Sequence, residues 1–148
     1  MIRELETSDI PAVVAACEWL FAPPGSRAAL WDPDLAAQRL ADQIGDPRAV
    51  CFVAVEDGHL QGFATAYLDL TSIRMGQRAW VNELAVDPGL RSRGLGRQLL
   101  QTAFDWARQA GATHIALDSN DARVDAHRFY ESQDPSWRCS CFGWVLTS

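Results

Sequence analysis

A short basic and glycine-rich stretch, RSRGLG at residues 91–96, stands out in a chain that is acidic overall. An apolar pattern of helical spacing follows it, so the stretch is predicted to begin a helix. The first N–H groups of a helix have no partner within it, and the helix dipole is positive at that end. Gly94 and Gly96 would leave these N–H groups accessible to an anion such as a pyrophosphate. Arginine side chains would add positive charge at Arg91, Arg93 and Arg97.

The spacing of this stretch argues against two common nucleotide-binding motifs. It is neither G-x-x-x-x-G-K-[ST] nor G-x-G-x-x-G, so a nucleoside triphosphate site and a dinucleotide site both lack their sequence pattern. Taken alone, the residues leave one alternative open, which is a helix start with solvated arginines.

The first part of the chain is predicted to form a strand and two helices. The segment IRELE is a short strand, and apolar residues recur at helical spacing over residues 10–21, after the possible caps Thr7 and Ser8. A loop with two prolines follows. Asp32 then caps a second helix that Gly45 ends.

The second part alternates strands with helices. A β-branched and aromatic hairpin turns at Asp57 and Gly58 and is followed by a further strand. A strand, a glycine turn, a long helix and another strand together indicate a parallel β-α-β crossover. We therefore predict a mixed α/β (α+β) sheet flanked by helices. The later elements are predicted at RAWVNELAVD, GLGRQLLQTAFDWARQAG, THIALD, ARVDAHRFYES and WRCSCFGWVL, of which the last is a strand region.

Composition narrows the class of protein. The 148 residues suit a single domain spanning 1–148, and 48% hydrophobic with 22% charged residues is a globular balance. A net charge of −6 argues against nucleic-acid and membrane partners and favours a cationic ligand. The first residues carry charge and no apolar core of the length that a secretory signal needs, and the sequence contains no apolar run of about 20 residues. We expect a cytoplasmic protein.

The cysteines do not form a metal-binding pattern. Cys17 and Cys51 lie in apolar runs, whereas Cys139 and Cys141 form a C-x-C pair. With three histidines in the chain, no zinc spacing is present, so we expect reduced thiols and no metal.

Several segments resemble the GNAT superfamily of N-acetyltransferases. RSRGLG matches the superfamily's [QR]-x-x-G-x-[GA] loop, and the longer segment VNELAVDPGLRSRGLGRQLLQTAFDWARQAG resembles its acetyl-coenzyme A binding region. DAHRFYES is similar to the later helix of the superfamily. The resemblance implies a mixed, mostly antiparallel sheet flanked by helices, with a central parallel β-α-β unit that binds acetyl-coenzyme A as co-substrate.

The resemblance also implies roles for individual residues. The main chain of β-strand residues would pair with pantetheine, and loop N–H groups would bind the pyrophosphate with support from arginine side chains. The pantetheine residues are Leu84, Ala85 and Val86. The pyrophosphate residues are Arg93, Gly94, Leu95, Gly96 and Arg97, with Arg91 adding charge.

Acetyl transfer to an amine requires a base and an acid, because an alkyl amine is mostly protonated at neutral pH. Glu83 is the first candidate base, acting directly or through water, and its alternative is a solvated or ion-paired glutamate. Tyr130 is the candidate acid for the departing thiolate, and its alternative is an aromatic core residue beside Phe129. His127 is a weaker candidate base. N–H groups around residues 85–86 would polarise the thioester carbonyl.

The acceptor pocket is predicted from aromatic residues and a carboxylate near the end of the first helix. The candidates are Trp19, Phe21, Trp31 and Asp32, with Trp144 as an addition, and ordinary core packing is the alternative for each.

Two positions depart from the superfamily pattern. Arg123 replaces a frequent Asn, which affects one pantetheine contact, and SQDPSW replaces a glycine-phenylalanine pair, which affects the last strands.

These features predict an acetyl-coenzyme A dependent N-acetyltransferase that acts on a primary amine of a small cationic molecule, such as an aminoglycoside-like compound or a polyamine. The alternatives are a protein or peptide amine acetyltransferase, a non-catalytic acyl-coenzyme A sensor and, more weakly, a nucleotide-binding regulator. A homodimer is compatible with the resemblance.

Overall fold

The computed structural model describes residues 1–147. The chain divides into two compact units, Met1–Leu117 and a second unit that begins at Asp118. Among the described residues, no helix is both long enough and apolar enough to cross a membrane.

The first unit is built on one five-stranded sheet with the order β1-β2-β3-β4-β5. The first four strands pair antiparallel with their neighbours, and β5 pairs parallel with β4. This confirms the predicted mixed, mostly antiparallel sheet. The strands are β1 (Ile2–Glu4), β2 (Ala49–Glu56), β3 (His59–Leu68), β4 (Arg78–Val86) and β5 (His114–Ala116).

Helices cover the sheet and connect its strands. The predicted long helix of the crossover is confirmed and joins β4 to β5. In the first unit the helices are α1 (Ile10–Ala16), α2 (Glu18–Phe21), α3 (Pro33–Gln43) and α4 (Leu95–Gln109), with 3-10 turns at Thr7–Asp9 and Pro88–Leu90; the second unit contains α5 (Val124–Glu131).

Each face of the sheet has its own core. On one face, side chains of α1 and α3 pack on alternate residues of β2 and β3, as Val13 does with Val53 and Phe63. On the other face, Leu99 of α4 packs with the intervening strand residues, among them Ala64. The period-two alternation of the strands therefore places neighbouring residues in different cores.

The first predicted helix, over residues 10–21, is wrong in detail. It begins as a 3-10 turn and is interrupted at Cys17, whose N–H is shared between the carbonyls of Val13 (3.2 Å) and Val14 (3.3 Å). Shared hydrogen bonds of this kind are common at helix ends. Thr7 and Ser8 are not the caps. Instead, the carboxylate of Asp9 accepts the N–H of Glu6 at 2.8 Å.

The predicted last strand, at residues 137–146, is also wrong. Residues 137–147 form no regular secondary structure, and the exposed fraction is 79% for Phe142, 80% for Trp144 and 94% for Leu146. The segment has the composition of a strand, but strand propensity depends on packing against a partner. No strand pairs with it among the described residues.

Candidate active site

A β-bulge in β4 determines where Glu83 points. Thr65 pairs with Glu83 across the β3–β4 ladder, whereas the next residue, Ala66, pairs with Val81. Asn82 is therefore the extra residue of the bulge. Because directly opposite residues share a face of the sheet, Val81 lies on the α4 side with Ala66, and Glu83 lies on the opposite side. The bulge thus turns Glu83 towards α1 and α3.

The Glu83 carboxylate is half-buried and hydrogen-bonded. The hydroxyl of Thr65 donates to its Oε2, and the side-chain amide of Asn82 donates to its Oε1 at 3.2 Å. Burial raises the pKa of Glu83 above its ordinary value, and the Thr65 hydrogen bond opposes this. No ion pair to Glu83 is present within residues 1–147, so its environment differs from that of an ion-paired surface glutamate.

Two thiols face this carboxylate. Burial first, and then the negative charge of Glu83, raises the pKa of Cys17 to about 11 and the pKa of Cys51 to about 12. Both thiols are therefore neutral at physiological pH. All four cysteines of the chain are free, and the other two, Cys139 and Cys141, are exposed.

Only part of the β4 edge that faces β5 is paired with a strand. β5 pairs with β4 at Arg78, Ala79 and Trp80, and no strand of the described chain pairs with that edge from Val81 to Val86. The main-chain groups there that point away from β3 have no strand partner among residues 1–147. Leu84, Ala85 and Val86, the predicted pantetheine residues, all lie on this part of the edge.

The loop after β4 leads into α4 through a left-handed glycine. Gly94 has a φ of 81° and forms the N-cap of α4, and its carbonyl accepts the N–H of Gln98 at 3.1 Å. Left-handed backbone favours glycine. A Cβ built on Gly94 meets no atom within 4 Å, so the space beside the loop is open.

The loop presents donors without protein acceptors. None of the main-chain N–H groups of residues 93–97 donates to another residue within the described chain. The predicted supporting side chains, Arg91, Arg93 and Arg97, are exposed and form no ion pair with any residue between 1 and 147. Such donors and charges at a helix N-terminus fit a pyrophosphate.

Tyr130 lies on α5 in the second unit. Its side chain is half-buried, and its ring lies 5.3 Å from that of Phe129. Burial raises the pKa of Tyr130, with the charge of Arg123 opposing the shift and that of Asp118 adding to it. The phenol is therefore protonated at neutral pH, which is the state that an acid requires. His127, the weaker candidate base, is engaged by the carbonyl of Ser119 (3.2 Å) and by Arg138 (3.1 Å).

A model of the acetyltransferase (GNAT) family matches residues 13–134. The chain belongs to the GNAT family. It is 35% identical over 99 residues to YhdJ, an uncharacterized N-acetyltransferase of Bacillus subtilis (strain 168), and the match covers 67% of the chain and 69% of YhdJ. As a GNAT member, the protein is an acyltransferase of the N-acetyltransferase type. Use of a donor of the acyl-coenzyme A class follows from this membership.

Two further GNAT relatives extend over most of the chain. An aminoglycoside N(6')-acetyltransferase type 1 of Klebsiella aerogenes is 29% identical over 140 residues, which covers 86% of the chain and 85% of that protein. A solved aminoglycoside N-acetyltransferase in complex with CoA matches with a TM-score of 0.82 at 17% identity, covering 99% of the chain and 95% of that structure. At this identity the solved structure establishes the shared fold.

The predicted acceptor residues of this GNAT protein fall into different environments. Phe21 and Trp31 come together, with ring centroids 5.0 Å apart. Trp19 is partly buried against the core of the α1 and α3 side. The Oδ1 atom of Asp32 accepts the N–H groups of Asp34 (2.9 Å) and Leu35 (3.2 Å), so this carboxylate caps α3 as the sequence also indicated.

Sequence reasoning missed three residues of this region. Arg27 lies over the Phe21 ring, 5.2 Å from its centroid, and forms an ion pair with Glu18. Thr65 binds the candidate base. The spacing of opposite charges between α2 and the following loop was an available signal for the ion pair, whereas nothing local marks Thr65.

Proposed function

We propose that this chain is an acetyl-coenzyme A dependent N-acetyltransferase whose acceptor is a primary amine of a small cationic molecule. One observation carries the proposal. A single strand-loop-helix segment supplies, in order, a half-buried carboxylate at Glu83, an open strand edge at residues 84–86 and acceptor-free N–H groups at residues 93–97. These are the three kinds of group that acyl transfer from a long anionic thioester to an amine requires.

The donor would lie along β4 and the following loop. The N–H groups of residues 93–97 would hold the pyrophosphate with help from the exposed arginines, and the open edge of β4 would pair with the pantetheine amides. The bound donor supplies the acetyl thioester. N–H groups around Ala85 and Val86 would stabilise negative charge on its carbonyl oxygen.

The chain's own residues would carry the protons. Glu83 would take one proton from the acceptor ammonium, directly or through water, so that the free amine forms the new N–C bond as the C–S bond breaks. Tyr130 would give its proton to the departing thiolate, whose conjugate acid has a pKa near ~8.5. The nitrogen would lose its second proton as the amide forms, and that proton would return to the Tyr130 phenolate through water. Burial raises the pKa of Tyr130, so the phenol is protonated at neutral pH and has a proton to give.

The acceptor class is supported by charge and by similarity. The net charge of −6 favours a cationic acceptor, and the partly exposed Trp31 ring offers an aromatic surface at the end of the loop that follows α2. The Klebsiella aerogenes relative is named as an aminoglycoside acetyltransferase. We therefore expect small polyamines and amino sugars to be the preferred acceptors.

The test is thiol release from acetyl-coenzyme A in the presence of polyamines, aminoglycosides, amino acids and peptides with a free amino terminus or lysine. Gly94→Asp serves as the blank because it places a negative charge in the pyrophosphate site. Selective turnover with a small amine supports the proposal. Selective turnover with peptides would show that the acceptor is a protein or peptide amine and not a small molecule. Binding of acetyl-coenzyme A without turnover on any acceptor would favour an acyl-coenzyme A sensor.

A further inference from the structure

Thr65 is buried in the middle of β3, directly opposite Glu83. Of the polar and charged residues within 1–147, it is the one with a buried side chain, at 4% exposure. A buried hydroxyl requires hydrogen-bond partners, and both partners of Thr65 belong to Glu83. The Glu83 N–H donates to Thr65 Oγ1 at 3.0 Å, and the hydroxyl donates to Glu83 Oε2.

This pair of hydrogen bonds has a fixed direction. A threonine hydroxyl has one proton to donate. Because its oxygen already accepts the Glu83 N–H, the proton is left to point at the Glu83 carboxylate. A donor fixed in this way stabilises the ionised carboxylate more than the neutral acid.

Few other groups favour the ionised form of Glu83. The titratable groups that face the carboxylate from the neighbouring elements are the thiols of Cys17 and Cys51, and both are neutral at physiological pH. No cation within residues 1–147 pairs with Glu83. The second donor, the amide of Asn82, is on an exposed residue. The Thr65 hydroxyl is therefore the main buried group that counteracts the burial of this carboxylate.

We propose that Thr65 is a positioning residue that keeps the Glu83 carboxylate ionised and oriented at the bulge of β4. Its catalytic consequence rests on the proposed function, in which Glu83 accepts a proton from the amine. Without the hydroxyl, Glu83 would be protonated over a wider range of pH and would lose one of the two bonds that orient it. The methyl group of Thr65 has no part in this role.

The experiment compares Thr65→Val, which keeps the shape of the side chain and removes the hydroxyl, with Thr65→Ser, which keeps the hydroxyl. The ratio of mutant to wild-type kcat/KM is measured at each pH, because ionisation of the acceptor amine is the same for both enzymes and cancels. For Thr65→Val we expect this ratio to fall about tenfold from alkaline to acidic pH, in keeping with the loss of one hydrogen bond to a charged group. Thr65→Ser should show little pH dependence. A flat ratio for Thr65→Val would overturn the catalytic part of the inference.

A direct titration separates this inference from the proposed function. The side-chain carboxyl resonance of Glu83, assigned by its loss in Glu83→Gln, is followed by NMR against pH in the wild type and both Thr65 variants. A higher pKa of Glu83 in Thr65→Val, with no such change in Thr65→Ser, supports the role of Thr65. This result would stand even if Glu83→Gln retained activity and Glu83 were therefore not the base. An unshifted titration in a folded Thr65→Val protein would overturn the inference, whatever the activity.

Discussion

The rings of Phe21 and Trp31 meet edge to face, with their centroids 5.0 Å apart. The contact connects the end of α2 with the end of the following loop, immediately before the cap of α3. Arg27, from the middle of that loop, covers the Phe21 ring and pairs with Glu18 of α2. The loop is thus tied back to α2 by one aromatic pair and one charged side chain.

Removing the Trp31 ring should weaken binding of the acceptor and leave the donor unaffected. A cation held against an aromatic face gains about 0.5 to about 1 kcal/mol at an exposed site, so we expect the KM for the amine to rise severalfold in Trp31→Ala. Trp31→Phe, which keeps an aromatic ring, should recover most of the loss. The two KM values are measured separately under saturation by the other substrate. An equal rise in both values would indicate a general loss of structure.

A negative charge at Gly94 should disrupt donor binding through electrostatics. Gly94→Asn is the matched control, because Asn and Asp have the same size and both tolerate left-handed backbone. Like charges a few ångströms apart repel by ~1 to ~4 kcal/mol, so Gly94→Asp should bind coenzyme A about tenfold or more weakly than Gly94→Asn. Calorimetric titration gives both affinities. The difference in coenzyme A affinity between the two variants should decrease at high salt. Equal affinities at low salt would exclude an anion site beside Gly94.

The fold was predictable where local signals decide it. The hairpin turn at Asp57 and Gly58 forms where predicted, with φ angles of 51° and 75°, as a two-residue hairpin turn requires. The buried stripe of α4 follows its apolar spacing, with Leu99 and Ala103 fully buried. The glycines and arginines of residues 91–97 share one short segment, so their proximity also follows from the sequence.

Features that depend on pairing between distant segments were not predictable in this way. The bulge at Asn82 is a register shift between β3 and β4, and neither strand shows it alone. Thr65 and Glu83 are 18 residues apart and meet only through that register. The segment at residues 137–146 shows the reverse case, because its strand-like composition does not produce a strand without a partner.

The carboxylate of Asp9 should stabilise the N-terminal region in a pH-dependent manner. It accepts Arg3 Nη1 at 2.7 Å, Arg3 Nη2 at 3.0 Å and the Glu6 N–H. The Arg3 hydrogen bond lowers the pKa of Asp9, so this stabilisation is present above the ordinary Asp pKa of about 3.9 and is lost as the pH falls through the lowered value. Asp9→Asn should reduce the free energy of unfolding by about 1 kcal/mol at neutral pH.

Urea unfolding of Asp9→Asn and the wild type, at neutral and at acidic pH, tests this expectation. The free energies of unfolding of the two proteins should converge at a pH below the lowered pKa of Asp9, where the side chain at position 9 is uncharged in both. Asp57→Asn is a suitable control, because the hairpin turn accepts either residue. A stability difference for Asp9→Asn that persists unchanged into acid would show that the charge of Asp9 is not its cause.

Replacing Tyr130 with phenylalanine should lower turnover much more than donor affinity. The substitution removes the acidic proton and keeps the ring, so acid catalysis predicts a kcat that is about 100-fold lower or more. Tyr67→Phe removes the only other tyrosine hydroxyl of the chain and should retain wild-type kcat. Steady-state rates with a fixed amine give kcat, and equilibrium binding of acetyl-coenzyme A gives the affinity. A wild-type kcat in Tyr130→Phe would leave Tyr130 as a packing residue beside Phe129.

Glu83→Gln should produce a defect that depends on pH. Burial raises the pKa of Glu83, so wild-type kcat/KM should decline as the pH falls through that raised value and the base becomes protonated. The Gln side chain accepts no proton at any pH, and we expect a loss of about 100-fold or more at neutral pH. As the pH approaches the amine pKa of about 10.4, more acceptor is already unprotonated, and the ratio of wild-type to mutant kcat/KM should narrow. Glu4→Gln, at the exposed end of β1, removes a carboxylate from a strand that β2 and β3 separate from β4, and it should keep the wild-type profile. A ratio for Glu83→Gln that is large but constant with pH would assign Glu83 to binding of the acceptor instead of removal of its proton.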